Sequence, residues 1–399
     1  MERETETLTP FLQRLQTIEA ESRKNSVEKR PKNTNKQYNP KILEFQRYCE
    51  EKNVDFIISP QLALAFLEDK VYRRKKKNRK RNRYGEEDEI VGKSTLKAYV
   101  AALRDLWVSQ KAEGINPHDH PRSPQVVALL EQSERDQVSV DRENCRDRGI
   151  GTLLDGYSSL GELRRLASEC MNPTSALVGR WRLHKRIRTR TACLLSHAGV
   201  LRSEDIRGAE LADLFSLPYN PTSSESSPIV ALVLTLLQGK TNAKGNIEIA
   251  SCFRFKDPNI CPIGALGFYL FLRWRVEGEP FPCFNTNDWY TIKILRGETK
   301  SNSKTEISYD SIHSPVKELL SVLGIPSSHT THIFRIAAAR MAELAGAPEM
   351  VIRRLGRWLQ SALESSYLKG LPVQGMLILA GWGSDSRNYL LDCSPANLN

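Results

Sequence analysis

Two adjacent strand-like runs interrupt a chain whose apolar residues otherwise follow helical spacing. The runs are SPIVALVLTLLQ (227–238) and NIEIASCFRF (246–255). The segment between them contains Gly239, Asn242 and Gly245, which favour a hairpin turn. Helical patterns stand on both sides of this pair, for example GELRRLASEC before it and PIGALGFYLFLRWRV after it. The sequence therefore predicts a mainly α fold with a small antiparallel β-sheet.

Composition and periodicity divide the 399 residues into four segments. Residues 1–33 would be an N-terminal extension with one amphipathic helix candidate. Residues 34–136 carry successive helical patterns and predict a helical domain. One of its helices should begin at the Ser59-Pro60 pair, an N-cap followed by proline at the first helical position. A polar, aperiodic stretch predicts a linker over 137–161, and 162–399 would form a second domain that contains the sheet.

The chain is basic, with a net charge of +11. Such an excess favours a polyanionic partner, and nucleic acid is the first candidate. The longest apolar run, residues 228–237, is far shorter than the roughly 20 residues that span a bilayer, so a membrane is not expected. The eight cysteines form no C-x-x-C pair, and the histidines show no H-x-x-x-H spacing. Reduced thiols and no metal ion are therefore expected.

Basic residues crowd the stretch from Lys70 to Gly85, which contains no acidic residue. The stretch could be a solvated loop, a set of contacts to the DNA backbone or a nuclear import signal, and the last two are compatible. We predict DNA contacts from the following basic residues of this stretch: Arg73, Arg74, Lys75, Lys76, Lys77, Arg79, Lys80 and Arg81. Lys244, in the segment between the two strand-like runs, is a further predicted DNA contact.

Six polar residues follow one another at suggestive intervals in the second domain: Arg202, Lys240, His332, Arg335, Trp358 and Tyr367. His332 and Arg335 lie about one helical turn apart. Trp358 follows Arg335 by 23 residues, and Tyr367 follows Trp358 by nine. Together these groups could hold a phosphodiester while a tyrosine attacks it.

Each residue type suits one task in that chemistry. Arg202 and Arg335 would clamp the phosphate, since a guanidinium binds it bidentately and keeps its charge. His332 and the indole N–H of Trp358 would add hydrogen bonds. Lys240 would protonate the leaving oxygen, although Lys244 in the same turn competes for that role. Tyr367 would be the nucleophile, and its ordinary pKa of about 10 requires nearby positive charge.

Each of these residues also has an ordinary structural interpretation. Arg202 could pair with Glu204 or Asp205, and Trp358 could belong to the core. The prediction therefore depends on the joint order and spacing of the six residues.

Those motifs resemble the tyrosine recombinases. GVLRSEDI resembles their first box, usually G-x-R-x-S-E, but is one residue shorter. LQGKTNAKG resembles the hairpin of the catalytic lysine, HIFR the H-x-x-R box, and LGRW ends where the family places His or Trp. The resemblance implies a helical core-binding domain and a catalytic domain that form a C-shaped DNA clamp. It also implies DNA cleavage and rejoining through a 3′-phosphotyrosyl intermediate, with no cofactor.

Within that family the chain is most similar to the eukaryotic crypton-type recombinases. This resemblance implies integration or excision of a mobile element in the nucleus. It also implies homo-oligomers, with a dimer on each DNA site and a tetramer in synapsis. The apolar stretch LPVQGMLILAGWG after Tyr367 would either exchange between protomers or pack on its own domain.

A second resemblance supports an alternative function. CPIGALGFYLFLRW followed by ILRG is similar to the DNA-binding subunit of the budding-yeast kinetochore, which binds DNA without the catalytic set. The retention of all six positions in this chain favours an enzyme. The alternative is a catalytically inactive, sequence-specific DNA-binding protein of the same fold, with a centromere or transcription role.

Overall fold

The computed structural model describes residues 14–15, 17–18, 21–22, 32–75, 90–143, 155–219, 229–236, 247–297, 303–327, 329–358 and 371–383. The chain divides into two compact units, one ending at Gly149 and the other beginning at Ile150. This division falls inside the segment predicted as a linker, although the last described helix of the first unit runs into that segment as far as Glu143.

The described part of the first unit is built of helices. They are α1 (Lys32–Lys52), α2 (Pro60–Phe66), α3 (Lys93–Ala112) and α4 (Pro124–Glu143). Helix α2 begins as predicted, because the Ser59 hydroxyl accepts a hydrogen bond from the Leu62 amide at 3.1 Å. It continues into one π-helical turn, Leu67–Val71. Aromatic rings fill the core between the helices, and Phe45 meets Phe66 edge-on at 5.2 Å.

The second unit surrounds one buried helix. Its helices are α5 (Leu160–Glu169), α6 (Leu183–Ala198), α7 (Ser203–Gly208), α8 (Pro262–Phe271), α9 (Asp310–Leu323), α10 (Ile333–Leu344), α11 (Glu349–Gly356) and α12 (Val373–Leu379). Almost every residue of α6 is buried, and α8 and α10 pack against it. Since α6 leads directly to Arg202, the core of the unit fixes where that residue stands.

A three-stranded antiparallel sheet completes the second unit. Its strands are β1 (Leu214–Tyr219), β2 (Ile229–Leu236) and β3 (Glu248–Cys252), in the order β1-β2-β3. Strands β2 and β3 pair in the predicted place, with Leu236 opposite Glu248. The sequence did not predict β1, because this edge strand is largely exposed and contains Pro218, which weakens a strand pattern. The predicted fold class, mainly α with a small antiparallel sheet, is confirmed.

None of the helices in the described ranges combines the length and the apolar character that crossing a bilayer requires.

Candidate nucleic-acid interface

A strained turn connects α6 to α7. Val200 has φ of 48°, in the left-handed region that a β-branched residue rarely adopts, at a cost of about 1–3 kcal/mol. After this turn Arg202 precedes the first residue of α7, and its amide donates to Asp205 Oδ2 at 2.8 Å. The turn therefore sets the direction in which Arg202 leaves the backbone.

Two buried arginines bind the carbonyl of Val200. Arg335 donates from Nη1 to Val200 O and from Nη2 to Gly356 O. Arg357 donates from Nη2 to Val200 O at 2.8 Å and from Nη1 to Gly199 O at 3.0 Å. These hydrogen bonds offset the backbone strain and tie the turn to α10 and to the end of α11.

The end of α11 places Trp358 over Arg335. Arg357 caps the helix with φ of 55°, and the Trp358 amide donates to Arg353 O at 2.9 Å. The Trp358 ring then lies 4.5 Å from the Arg335 guanidinium, within cation–π range. It also lies against Gly356, where an added Cβ would be 2.1 Å from the ring. The glycine is therefore required by this close approach.

Some hydrogen-bond donors around Arg335 are not used inside the protein. The Arg202 guanidinium makes no hydrogen bond or ion pair with any residue that the structure describes, so the pairing with Glu204 or Asp205 is not observed. Trp358 keeps 37% of its surface exposed, and its indole N–H has no partner within the described ranges. His332 is exposed at the start of α10. These three side chains can therefore accept a ligand.

Positive charge exceeds negative charge around Arg335. We call Arg202, Arg335 and Arg357 the arginine cluster. Burial, together with the charges of Arg357 and Arg202, lowers the pKa of Arg335 to about 10, and Arg335 stays protonated at neutral pH. The carboxylates next to Arg357 are Asp205, 4.0 Å from its Nη2, and Glu248, 3.9 Å from its Nε, and the charge of a third, Glu204, acts on His332.

His332 responds to the same charges. Its partial burial, together with the charges of Arg335, His329 and Arg202, lowers its pKa, so the imidazole is neutral at pH 7. A neutral imidazole can donate one hydrogen bond and accept another. An anion bound at the arginine cluster would raise this pKa again, because it would offset the repulsion.

Lys240, Lys244 and Tyr367 lie outside the described residues. Their flanking elements border the arginine cluster. Glu248, the first residue of β3, pairs with Leu236, the last residue of β2, and is the carboxylate next to Arg357. The roles of these three residues stay predictions.

The predicted DNA contacts of the first unit are only partly described. Arg73 is exposed and lies 3.4 Å from Asp136, while Arg74 pairs with Glu44 and donates to the Tyr99 hydroxyl at 2.9 Å. Arg74 thus has its charge balanced inside the fold. Lys75 is exposed and forms a β-bridge with Ile90, so the two ends of the intervening segment lie side by side. The remaining predicted contacts are outside the described residues: Lys76, Lys77, Arg79, Lys80 and Arg81.

Two functional features of this region were not predicted from the sequence. Arg357 stands directly before Trp358 in LGRW, but its burial and left-handed backbone have no signature in the residue pattern. The strain at Val200 is equally invisible in GVLR. In the part of the chain that the structure describes, no group of His, Cys, Asp and Glu side chains has the arrangement of a metal site.

Comparison with known families identifies the chain. The sequence profile of a family described as the centromere DNA-binding protein complex CBF3 subunit, domain 2, matches residues 110–389. The match covers well over half of the chain, and the chain therefore belongs to this family. It is the kinetochore-related resemblance, rather than the crypton-type one, that the family match supports. No curated protein matches the sequence.

Several solved structures are similar to this chain at low identity. An Flpe mutant in a DNA Holliday junction complex has a TM-score of 0.40 and 13% identity over 72% of this chain and 66% of that one. XerH site-specific recombinase on the palindromic difH substrate gives 0.45 and 11%, over 90% and 79%. Ndc10, described as a platform for inner kinetochore assembly in budding yeast, gives 0.33 and 11%, over 89% and 83%. The chain thus spans slightly less than two thirds of the Flpe chain.

Proposed function

We propose that this protein binds duplex DNA and that the arginine cluster holds a backbone phosphate, in a nuclear, centromere-type role. The observation that carries the proposal is the Arg202 guanidinium, which has no partner among the described residues while it stands in an excess of positive charge. The family to which the chain belongs is named for a centromere DNA-binding complex, and this supports the choice of ligand.

The cluster fits a phosphodiester in charge and in donors. Arg202 can present a planar fork to two phosphate oxygens, and the free indole N–H of Trp358 and the His332 imidazole can add single hydrogen bonds. Arg335 has two of its terminal donors committed to backbone carbonyls, so its main contribution is a fixed positive charge. The site reads no base, and sequence preference would have to come from other contacts.

Substitution of Arg202 by alanine tests the proposal. The affinity for a fluorescent mixed-sequence duplex should fall, and the slope of log K against log salt should become shallower by about 0.9, because one phosphate contact is lost. The free energy of unfolding should stay within about 0.5 kcal/mol of the parent, since no internal contact is lost.

Arg180 provides the matched control, because its guanidinium is already paired with Glu318 at 2.5 Å. The Arg180→Ala variant should keep the parental salt slope. A parental slope in Arg202→Ala as well would remove the phosphate site from the arginine cluster.

A second candidate function is DNA cleavage by Tyr367. It is supported by the common location of Arg202, His332, Arg335 and Trp358, and by the start of the Tyr367 segment directly after Trp358. In this mechanism neutral His332 would accept the proton of the Tyr367 hydroxyl while the Tyr367 oxygen attacks the phosphorus and forms a 3′-phosphotyrosyl bond. The bond from phosphorus to the 5′-oxygen would break, and the lysine of the hairpin would protonate this leaving oxygen. A homodimer on each site and a tetramer in synapsis stay predictions of this alternative.

A nicked suicide duplex distinguishes the two functions. Cleavage predicts a covalent protein–DNA band on a denaturing gel that disappears in Tyr367→Phe and persists in Tyr309→Phe, an exposed tyrosine on another element. Arg202-dependent binding without any covalent band would leave DNA binding as the function and exclude the enzyme.

A further inference from the structure

The three members of the arginine cluster differ in where their donors point. Arg202 has a guanidinium with no described partner, whereas Arg335 and Arg357 each donate to backbone carbonyls on two segments. Arg357 adds a further hydrogen bond to Leu355 O at 3.3 Å, so one of its nitrogens serves two carbonyls. Its guanidinium is therefore occupied by the protein.

The burial of Arg357 excludes direct contact with a large ligand. Only 8% of the residue is exposed, against 37% for the adjacent Trp358. Its Nε has no hydrogen-bond partner within the described ranges and lies 3.9 Å from Glu248. Burying a charged group with an unsatisfied donor costs free energy. The hydrogen bonds of Arg357 must therefore stabilise the protein at some place to offset that cost.

That place is the turn before Arg202. The fork of Arg357 spans two consecutive carbonyls, Gly199 O and Val200 O, and Val200 is the residue with the strained backbone. Without the fork, Gly199 O would lose its hydrogen bond, and the bond from Arg335 to Val200 O would be left to oppose relaxation of a turn that costs about 1–3 kcal/mol to adopt. Because Arg202 follows two residues later, relaxation of the turn would move its guanidinium.

We infer that Arg357 is a positioning residue, whose two-carbonyl fork fixes the turn at Gly199 and Val200 and thereby presents Arg202 to the phosphate. This inference rests on the proposed DNA-binding function. It deepens that function by naming a residue that acts through another and does not touch DNA.

A double-mutant cycle with Arg202→Ala and Arg357→Lys tests the inference. Lysine keeps the positive charge next to Asp205 and Glu248 but has no planar fork for two carbonyls. Each single variant should lose the same salt-slope increment of about 0.9, and the double variant should lose no more than either. Additive losses, or parental binding by Arg357→Lys, would overturn the inference.

Arg190→Lys is the matched control for a merely structural arginine. Arg190 is also buried and donates to a backbone carbonyl, Asn259 O at 2.7 Å, on another segment. This variant should lose stability and keep the parental salt slope. A shallower slope in Arg190→Lys would mean that any lost buried arginine disturbs binding, and would also overturn the inference.

The cycle distinguishes failure of the proposed phosphate binding from failure of the positioning role of Arg357. If the parental slope does not depend on Arg202 at all, the proposed function fails. If it depends on Arg202 but the cycle is additive, only the role of Arg357 fails. Should Arg357→Lys not fold, Arg357→Gln takes its place in the cycle, because a single amide group cannot span two carbonyls as the guanidinium fork does. The same expected losses and the same contrary outcomes apply in that cycle.

Discussion

Two groups of arginines in the second unit have opposite surroundings. In the first group, which we call the buried ion-pair network, Arg273 and Arg296 form ion pairs with Glu277 and Glu279. Arg273 binds Glu279 at 2.5 and 2.8 Å, and Arg296 Nε lies 2.7 Å from the same carboxylate. In the arginine cluster the carboxylates stand at 3.9–4.0 Å, and one guanidinium has no described partner.

The difference separates a stabilising group from a ligand-binding group. Burial alone would raise the pKa of Glu279, but the hydrogen bonds and charges of Arg273 and Arg296 outweigh it and hold this pKa below its usual value. The network is thus balanced internally. The arginine cluster has an excess of positive charge that an anion would balance. A buried arginine is therefore evidence for a site only when its charge and its donors are not used inside the protein.

The largest expected effect is the loss of Glu279. Glu279→Gln leaves two buried guanidiniums without their shared carboxylate, and breaking such a pair costs about 3–5 kcal/mol of unfolding free energy. Urea denaturation measures this loss. The salt slope of DNA binding, measured well below the unfolding transition, should stay parental.

Glu306→Gln is the control for that prediction, since Glu306 pairs with Arg207 at 2.6 Å near the surface. It should cost at most about 1 kcal/mol. Equal losses in Glu279→Gln and Glu306→Gln would show that the buried network has no special weight, and the comparison drawn above would fail.

A smaller effect on stability is expected from two glycine substitutions, one of which should destabilise the protein and the other stabilise it. In Gly356→Ala the new methyl group would displace Trp358 from its position over Arg335, at a cost of about 1–3 kcal/mol and with weaker DNA binding. Gly267→Ala, on an exposed face of α8 with open space around it, should instead stabilise the protein by about 0.5–1 kcal/mol.

Denaturation and anisotropy titrations on both glycine variants check this prediction. If Gly356→Ala is as stable as the parent and binds DNA equally well, the contact between Trp358 and Arg335 does not contribute to the interface.

Local patterns predicted much of the fold, whereas long-range pairing escaped prediction. The Ser59 cap and the β2–β3 pair follow from residues close in sequence, and both were predicted. Arg74 was predicted to contact DNA, yet it pairs with Glu44, thirty residues earlier, and no local pattern reveals such a partner. In the same way the net charge overstates the basic surface, because several arginines of α6 are buried and donate to backbone carbonyls: Arg186, Arg188 and Arg190.

The candidate site shows the same division. The order of Arg202, His332, Arg335 and Trp358 along the chain predicted that they act together, and their mutual contacts and charges are consistent with a common location. Arg357 escaped prediction because what distinguishes it is its burial and its bonds to Gly199 and Val200, more than 150 residues away in sequence. Spacing can indicate which groups take part in chemistry, but the groups that hold them depend on the folded backbone.

A further expected effect concerns a buried histidine that titrates with folding. His197 is completely buried beside the Tyr157 hydroxyl, 2.9 Å from its Nδ1, and burial lowers its pKa to about 3. Between pH 6.5 and 3 the unfolded chain therefore binds a proton that the folded chain does not, so this residue makes stability fall as the pH falls. The free energy of unfolding should change by about 1.4 kcal/mol for each pH unit in this range because of His197. Above pH 6.5 this residue causes no pH dependence of stability.

Urea denaturation at pH 6 and pH 5 measures that dependence. His197→Asn should flatten it by about this amount, whereas Tyr157→Phe should keep it, because burial and not the hydrogen bond causes the low pKa. A parental pH dependence in His197→Asn would contradict the prediction. DNA-binding titrations at the same two pH values, on the parent and on His332→Asn, sharpen the contrast with the interface. Binding should strengthen as the pH falls only while His332 is present, since protonation adds a positive charge next to the phosphate.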